Sequence, residues 1–324
     1  MTEPAVASEA WLRAAFDADA REDIFGDYEP TPDAPLLILL GGQPAAGKSR
    51  AQDSILAAHP NAQLVPVTGD ELREYHPDYA RLATTAPLEM PAATAPVSAG
   101  LIHLALDHAI EHRYSVLLEG TFRDPVMVTG TAARFAAAGY RVEVVAVATP
   151  APVSRLSAEQ RALGDRDGAF GRWTPPEAHE SALARSPDVV DALENSEAVT
   201  RVQVHSRERL LYDNTRTQDG TWRQTPAAAE VLRAEQTRRL EPAEAADWLT
   251  RYQGTFEIAS TRRGYLGDAT APAYRRLQTD AANLIPIAIA DSLVDAAALR
   301  RSQDARQDLL RRLRLDGRRR ARGG

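Results

Sequence analysis

Short, uninterrupted apolar runs alternate with helical periodicities through the first two thirds of the chain. Leu36–Leu40 is apolar at every position, as a strand buried on both faces requires. Residues 64–68, 115–118 and 142–147 repeat that pattern as three further strands. Between them lie amphipathic stretches. One helix is predicted from Gly47 to about His59, and a second over 97–112 with Leu101, Leu104, Ala105, His108 and His112 on one face. A third covers about 126–138, and a fourth runs from Pro150-Ala-Pro152 to about Leu163. Before the first strand, residues 8–25 set Trp11, Ala14, Ala15, Phe16 and Ile24 at helical spacing, and Pro30, Pro32 and Pro35 end that helix. Residues 80–97, rich in Pro, Ala and Thr, read as irregular. A Gly-rich loop over 164–174 leads into a helix starting near Pro175. Late strands are predicted at 202–205 and 210–212, with a turn near Asp219-Gly220, and from about 226 the signal is helical.

The first strand runs directly into Gly42-Gln-Pro-Ala-Ala-Gly47-Lys48-Ser49, the G-x-x-x-x-G-K-S spacing of a phosphate-binding P-loop. Such a loop wraps backbone N–H groups around phosphates and places a lysine ammonium on the β/γ oxygens. Lys48 is the only lysine among 38 basic side chains. A chain that otherwise uses arginine keeps lysine where a compact ammonium, not a planar guanidinium, is needed. Strand–helix alternation behind this motif predicts an α/β fold: a doubly wound, mostly parallel sheet of the P-loop kinase type, with a helical C-terminal extension. The expected divisions are 1–35 (helix and entry loop), 36–225 (kinase core) and 226–324 (arginine-rich helical extension ending in a partly disordered tail).

Composition narrows the partners. A net charge of −7 argues against nucleic acid as a partner of the core, although ten arginines fall between Arg300 and Arg322. The absence of cysteine excludes disulfides, thiolate metal sites and a cysteine nucleophile, and fits a cytoplasmic protein. Residues 1–20 lack the pattern of a signal peptide, and no apolar run approaches membrane-spanning length.

In doubly wound sheets, ligands collect at the carboxyl ends of the strands. Three polar clusters fall there: the P-loop, Gly69-Asp70-Glu71-Leu72-Arg73, and Glu119-Gly120-Thr121-Phe122-Arg123. A carboxylate at this edge can deprotonate an acceptor hydroxyl or hold Mg²⁺, and an arginine can steady transferred charge. Each has a plainer reading. Asp70 can cap the next helix, Glu119 can pair with the P-loop lysine, and Arg123 can pair with Asp124. A fourth cluster, Arg155, Arg161, Arg166 and Arg172, follows the fourth strand and suits a lid over phosphates. For Arg155 and Arg166 a solvated helix face is the expectation. His108 and His112 stand at i, i+4 without an evident third metal ligand, and read as a helix surface.

Taken together, Gly41–Ser49, Gly69–Pro77, Leu118–Arg123 and Gly171-Arg-Trp-Thr-Pro-Pro-Glu-Ala-His179 resemble the zeta toxin family over about residues 30–205. These are P-loop kinases of toxin–antitoxin systems that phosphorylate UDP-N-acetylglucosamine on its 3′-hydroxyl. The resemblance implies ATP on Gly42, Gln43, Pro44, Ala45, Ala46, Gly47, Lys48 and Ser49, with Mg²⁺ on Ser49. It implies Asp70 as catalytic base, and Glu119, Thr121, Arg123 and Thr131 around the UDP-sugar. Arg161 and Arg172 resemble the arginines that clamp the transferred phosphate. One position departs: His103 falls where the family carries a substrate-binding glutamate, so a carboxylate acceptor is exchanged for an imidazole. Only about 35 residues precede the first strand, too few for a fused antitoxin bundle, so an antitoxin is expected as a separate protein or in the helical C-terminal part. Two other readings stay open: a kinase for another acceptor (an antibiotic, a nucleotide or another sugar nucleotide), and a non-catalytic nucleotide-binding interaction protein.

Overall fold

The computed structural model describes residues 5–164, 170–290 and 301–312. The expected surface role of Arg166 and the expected disorder of the tail beyond residue 312 lie outside the described residues.

The chain divides into two compact units. One comprises 1–149 and 180–236, the other 150–179 and 237–324. The expected core and extension were set to meet at 225/226. The compact units meet instead at 236/237, and 150–179 groups with the C-terminal helices.

The first unit holds a six-stranded sheet in the order β2-β3-β1-β4-β5-β6. Its strands are β1 (Leu36–Gly41), β2 (Val65–Thr68), β3 (Val116–Glu119), β4 (Arg141–Val147), β5 (Arg201–His205) and β6 (Leu210–Thr215). The first five pair in parallel, and only β6 runs antiparallel. Every residue of β1 is buried. Leu37 and Leu39 join the larger apolar cluster on one face, with Val97, Leu101 and Phe135 from the helices. Leu36, Ile38 and Leu40 join a second cluster with Ile55 on the other. Helices thus cover both faces, which is why β1 shows no polar alternation.

Those helices are α1 (Glu9–Ala15), α2 (Arg21–Phe25), α3 (Lys48–Ala58), α4 (Tyr79–Thr85), α5 (Met90–His112), α6 (Pro125–Ala137), the later part of α8 (Pro176–Glu194) and nearly all of α9 (Ala228–Thr237). Two differ from expectation. The predicted helix over 8–25 is interrupted by a π-helical segment, Phe16–Ala20, that keeps Phe16, Ala20 and Phe25 buried. The stretch 80–97, expected to be irregular, is helical in α4 and the first turns of α5. Prolines misled the reading there. Pro91 sits in the first turn, where its missing N–H has no partner to lose. Pro96 removes one bond, to Ala92, but both residues are exposed and water can serve that carbonyl. Burial of Val97, Leu101, Leu104 and Ala105 outweighs that loss.

The second unit contains α7 (Ala151–Leu163), α10 (Pro242–Thr261), α11 (Ala271–Ile289) and helical residues 301–312. Its core is aromatic: Trp248, Tyr252, Tyr265 and Tyr274 are almost fully buried. Two acidic side chains inside it have partners. Arg155 Nη1 donates to both carboxylate oxygens of Asp280 at 2.9 and 3.1 Å. Arg155 is therefore part of a structural ion pair, not of a solvated face.

Glu159 is also buried, and Tyr265 Oη donates to its Oε2 at 2.9 Å. Burial pushes this carboxyl up to about 7 from its ordinary value of 4.5. The folded state therefore holds a proton that the unfolded chain releases. Stability from this group is complete below about pH 4.5 and is lost as pH rises through about 7. Glu159→Gln keeps a neutral acceptor for Tyr265. It is expected to flatten the decline, leaving the variant more stable than wild type at pH 8 by up to about 3 kcal/mol. Unfolding midpoints of both proteins from pH 4 to 8 check this; parallel curves would contradict it.

Candidate active site

β1 delivers the chain to the P-loop at the sheet's carboxyl edge. The loop turns on backbone angles that few side chains adopt: φ is +150° at Gly42 and +109° at Gly47. A Cβ on Gly42 would stand 2.4 Å from the Val147 carbonyl oxygen. α3 then starts at Lys48, so its unsatisfied N–H groups and positive dipole end face the loop. Lys48 is 8% exposed, and its Nζ donates to the carbonyls of Gly42 at 3.3 Å and Gln43 at 3.5 Å. The Gln43 side chain is committed elsewhere. Its Nε2 donates to Thr149 O at 2.7 Å, and its Oε1 accepts from Gln236 at 3.2 Å. Only its backbone is left to serve a nucleotide. Ser49 is exposed in the first turn of α3.

Strand register brings the other clusters to the same edge. Leu40 of β1 and Thr68 of β2 both pair with Glu119 at the end of β3. Glu119 Oε1 lies 3.7 Å from Lys48 Nζ, so the predicted pairing of these two residues is present. Asp70 follows Thr68 by two residues. It opens a short 3₁₀ turn, Glu71–Arg73, without capping it through its side chain. Arg73 Nε stands 3.5 Å from Asp70 Oδ1, while Arg73 Nη1 donates to Pro91 O at 2.7 Å and Thr94 Oγ1 at 2.8 Å. Ser98 Oγ donates to the Gly69 carbonyl at 2.5 Å. The start of α5 thus holds the Asp70 turn.

Beyond Glu119, Phe122 adopts φ +47°, a strained value for an aromatic residue, and is buried. Its ring lies against Gly41, where an added Cβ would fall 2.2 Å from ring carbons. Gly41→Ala is expected to cost about 1–3 kcal/mol of stability and to disturb the junction of β1 and the loop. Thermal unfolding checks this; an unchanged midpoint would mean that the ring moves aside freely.

Thr121 is half-buried and Arg123 exposed. The Arg123–Asp124 pair is not formed; Asp124 caps α6 instead, accepting from Met127 N at 3.1 Å. Thr131 Oγ1 donates to Met127 O at 3.0 Å along α6. His103 is exposed on α5, 3.5 Å from Asp107, which also accepts from Arg134 at 2.8 Å. His108 is no simple surface residue: its ring packs 4.8 Å from Phe25 and 4.2 Å from His112. Arg161 and Arg172 lie in the second unit. Arg161 Nη2 donates to Thr174 Oγ1 at 2.8 Å, and Arg172 is exposed.

Sequence reasoning missed several residues built into this edge: Phe122, Thr149, Arg207 and Gln236. Phe122 lies within the Glu119–Arg123 cluster without a polar group to mark it, the other three sit in no recognisable motif, and one arginine among so many carries no signal by itself.

The zeta toxin family model matches residues 21–217, more than half of the chain. The chain belongs to the zeta toxin family. The matched span includes the P-loop, the Asp70 turn, Glu119, Arg161 and Arg172, and ends before α9. Among zeta toxin relatives, the chain is 24% identical to toxin zeta of Enterococcus hirae over 226 residues, covering 68% of this chain and 76% of that protein. It is 29% identical to toxin PezT of Streptococcus pneumoniae over 203 residues, 61% and 76% of the respective chains. The fold is shared with the solved structure of the PezAT chromosomal toxin–antitoxin system of S. pneumoniae. That match has a TM-score of 0.61 at 21% identity and covers 77% of this chain and 97% of that one. In this zeta toxin family member no helix among the described residues is long and apolar enough to cross a membrane.

Proposed function

We propose that this protein is an ATP-dependent kinase that phosphorylates the 3′-hydroxyl of UDP-N-acetylglucosamine, and that it acts as the toxin of a toxin–antitoxin pair. The observation that carries this reading is the juxtaposition at the sheet edge. A nearly buried P-loop lysine sits 3.7 Å from Glu119, on the strand next to the one that leads into Asp70. ATP phosphates would replace the Gly42 and Gln43 carbonyls as partners of Lys48. Ser49 fits Mg²⁺, because its hydroxyl is a hard oxygen donor exposed at the loop's exit. When bound, the ion neutralises charge on the β and γ phosphates.

In this reading Asp70 accepts the proton of the attacking sugar hydroxyl, aimed by Arg73. Thr121, Arg123 and Thr131 hold the acceptor, and Glu119 orients Lys48 and the sugar. Arg161 and Arg172 balance charge on the moving phosphoryl group. Neutralisation comes from an antitoxin that is a separate protein or from the chain's own helical C-terminal part.

His103 favours keeping a second acceptor in view. An exposed imidazole tied to Asp107 is a poorer acceptor for a sugar hydroxyl than a glutamate, so a related activated sugar is the alternative substrate. Incubating the protein with Mg·ATP and a panel of sugar nucleotides, nucleotides and aminoglycosides, with product masses read out, tests both. The expected product is UDP-N-acetylglucosamine heavier by roughly 80 Da, one phosphoryl group. Phosphorylation of another acceptor alone replaces the substrate assignment, and no product with any acceptor overturns the kinase reading.

A further inference from the structure

Arg207 lies in the tight turn between β5 and β6. It reaches the P-loop and the first turn of α3. Its Nη2 donates to Ala45 O at 2.5 Å, its Nε donates to Ala46 O at 3.3 Å, and its backbone carbonyl accepts from Arg50 Nη1 at 3.4 Å. The Arg207 stem also passes Gly47 closely: a Cβ on that glycine would be 3.2 Å from Arg207 Cγ. The turn that carries it is stiff. Ser206 N donates to Arg209 O at 2.8 Å, and Ser206 Oγ accepts from Glu208 N at 3.2 Å and Arg209 N at 3.0 Å. From the end of β4, Thr149 Oγ1 donates to the same Ala46 carbonyl at 2.7 Å.

The peptide planes of a P-loop work only in one orientation. Their N–H groups must point at the phosphates, so their carbonyls point outward and need partners there. Ala45 is held at φ +60°, a left-handed conformation that alanine resists. The Ala45–Ala46 peptide is fixed in the loop's own turn, its N–H donating to Gln43 O at 3.1 Å; if the next peptide turned over, the Ala46 carbonyl oxygen would face the phosphates and repel them. Arg207 and Thr149 bond the outward carbonyls of these two peptides and so oppose that rotation.

We infer that Arg207 is a positioning residue that locks the P-loop in its anion-binding conformation before nucleotide arrives. It acts through the loop carbonyls, from behind, and its role differs from that of Lys48, which faces the phosphates. The inference rests on the nucleotide-binding part of the function proposed above.

The test uses the full chain and its Arg207→Ala and Arg207→Lys variants. Mg·ATP is titrated to obtain affinity, and amide exchange is measured over residues 42–49 without nucleotide. Removing Arg207 is expected to weaken ATP binding by on the order of tenfold to a hundredfold, because the loop must then be ordered by the nucleotide itself. Lysine, which cannot span both carbonyls, is expected to fall between. Exchange at residues 45–48 is expected to speed up in both variants. In turnover, the KM for ATP rises while the KM for the acceptor stays put, a split that general loss of structure would not produce. Wild-type ATP affinity in Arg207→Ala overturns the inference. If the wild-type chain binds no ATP, the proposed function fails, and loop exchange then decides alone: unchanged exchange in Arg207→Ala overturns the positioning role.

Discussion

Asp70→Asn is expected to lower kcat by roughly 10²–10⁴-fold while leaving ATP affinity close to that of wild type. The two side chains have the same shape, but an amide cannot accept the sugar proton. Arg73 holds its place through Pro91 and Thr94 in either case, so the turn stays put. The Asp70 side chain does not cap the 3₁₀ turn, and the substitution therefore removes no cap. Stability should change by less than about 0.5 kcal/mol, as for substitutions away from packed or capping positions. Single-turnover assays with saturating ATP, together with unfolding midpoints, separate chemistry from folding. A variant that turns over at nearly the wild-type rate removes Asp70 from the reaction.

Lys48→Arg is the second large effect. Lysine threads a compact ammonium between the Gly42 and Gln43 carbonyls and Glu119 in a pocket that leaves it 8% exposed. A guanidinium is wider and planar and does not fit that path without moving the loop. Loss of this one charge–phosphate contact, at about 2–4 kcal/mol, predicts on the order of 10²–10³-fold lower kcat/KM for ATP. Lys48→Ala should do at least as much. It also leaves Glu119 without its cation at the sheet edge. Retained activity in Lys48→Arg would mean that the chain's single lysine is an accident of composition.

Much of this was legible in the residues because the strongest constraints are local. A strand buried on both faces has to be apolar throughout, and β1, β3 and β4 were placed to within a residue or so for that reason. The P-loop is a contiguous motif whose glycines answer to backbone angles, so Gly42, Gly47 and Lys48 could be read directly. The start of α5 could not, because proline punctuates a sequence locally whereas burial of one helix face is decided by the whole fold. Arg207 was invisible for a similar reason. Its partners Ala45 and Ala46 are about 160 residues away, and a backbone carbonyl acceptor places no demand on residue type there. Phe122 stood inside a quoted motif, yet its positive φ and its packing on Gly41 emerge only when β1 and β3 lie side by side. The plainer readings of Glu119 and Asp70 fared differently. The lysine pair is present, and the side-chain cap is absent.

The most direct test of the kinase account follows phosphorus itself. Phosphorus-31 spectra are recorded while the wild-type protein consumes Mg·ATP in the presence of UDP-N-acetylglucosamine. The predicted result is one new phosphomonoester signal on the sugar for each ADP released, coupled to the proton at the 3′ position. ADP accompanied only by inorganic phosphate, or ATP left unchanged, would contradict it.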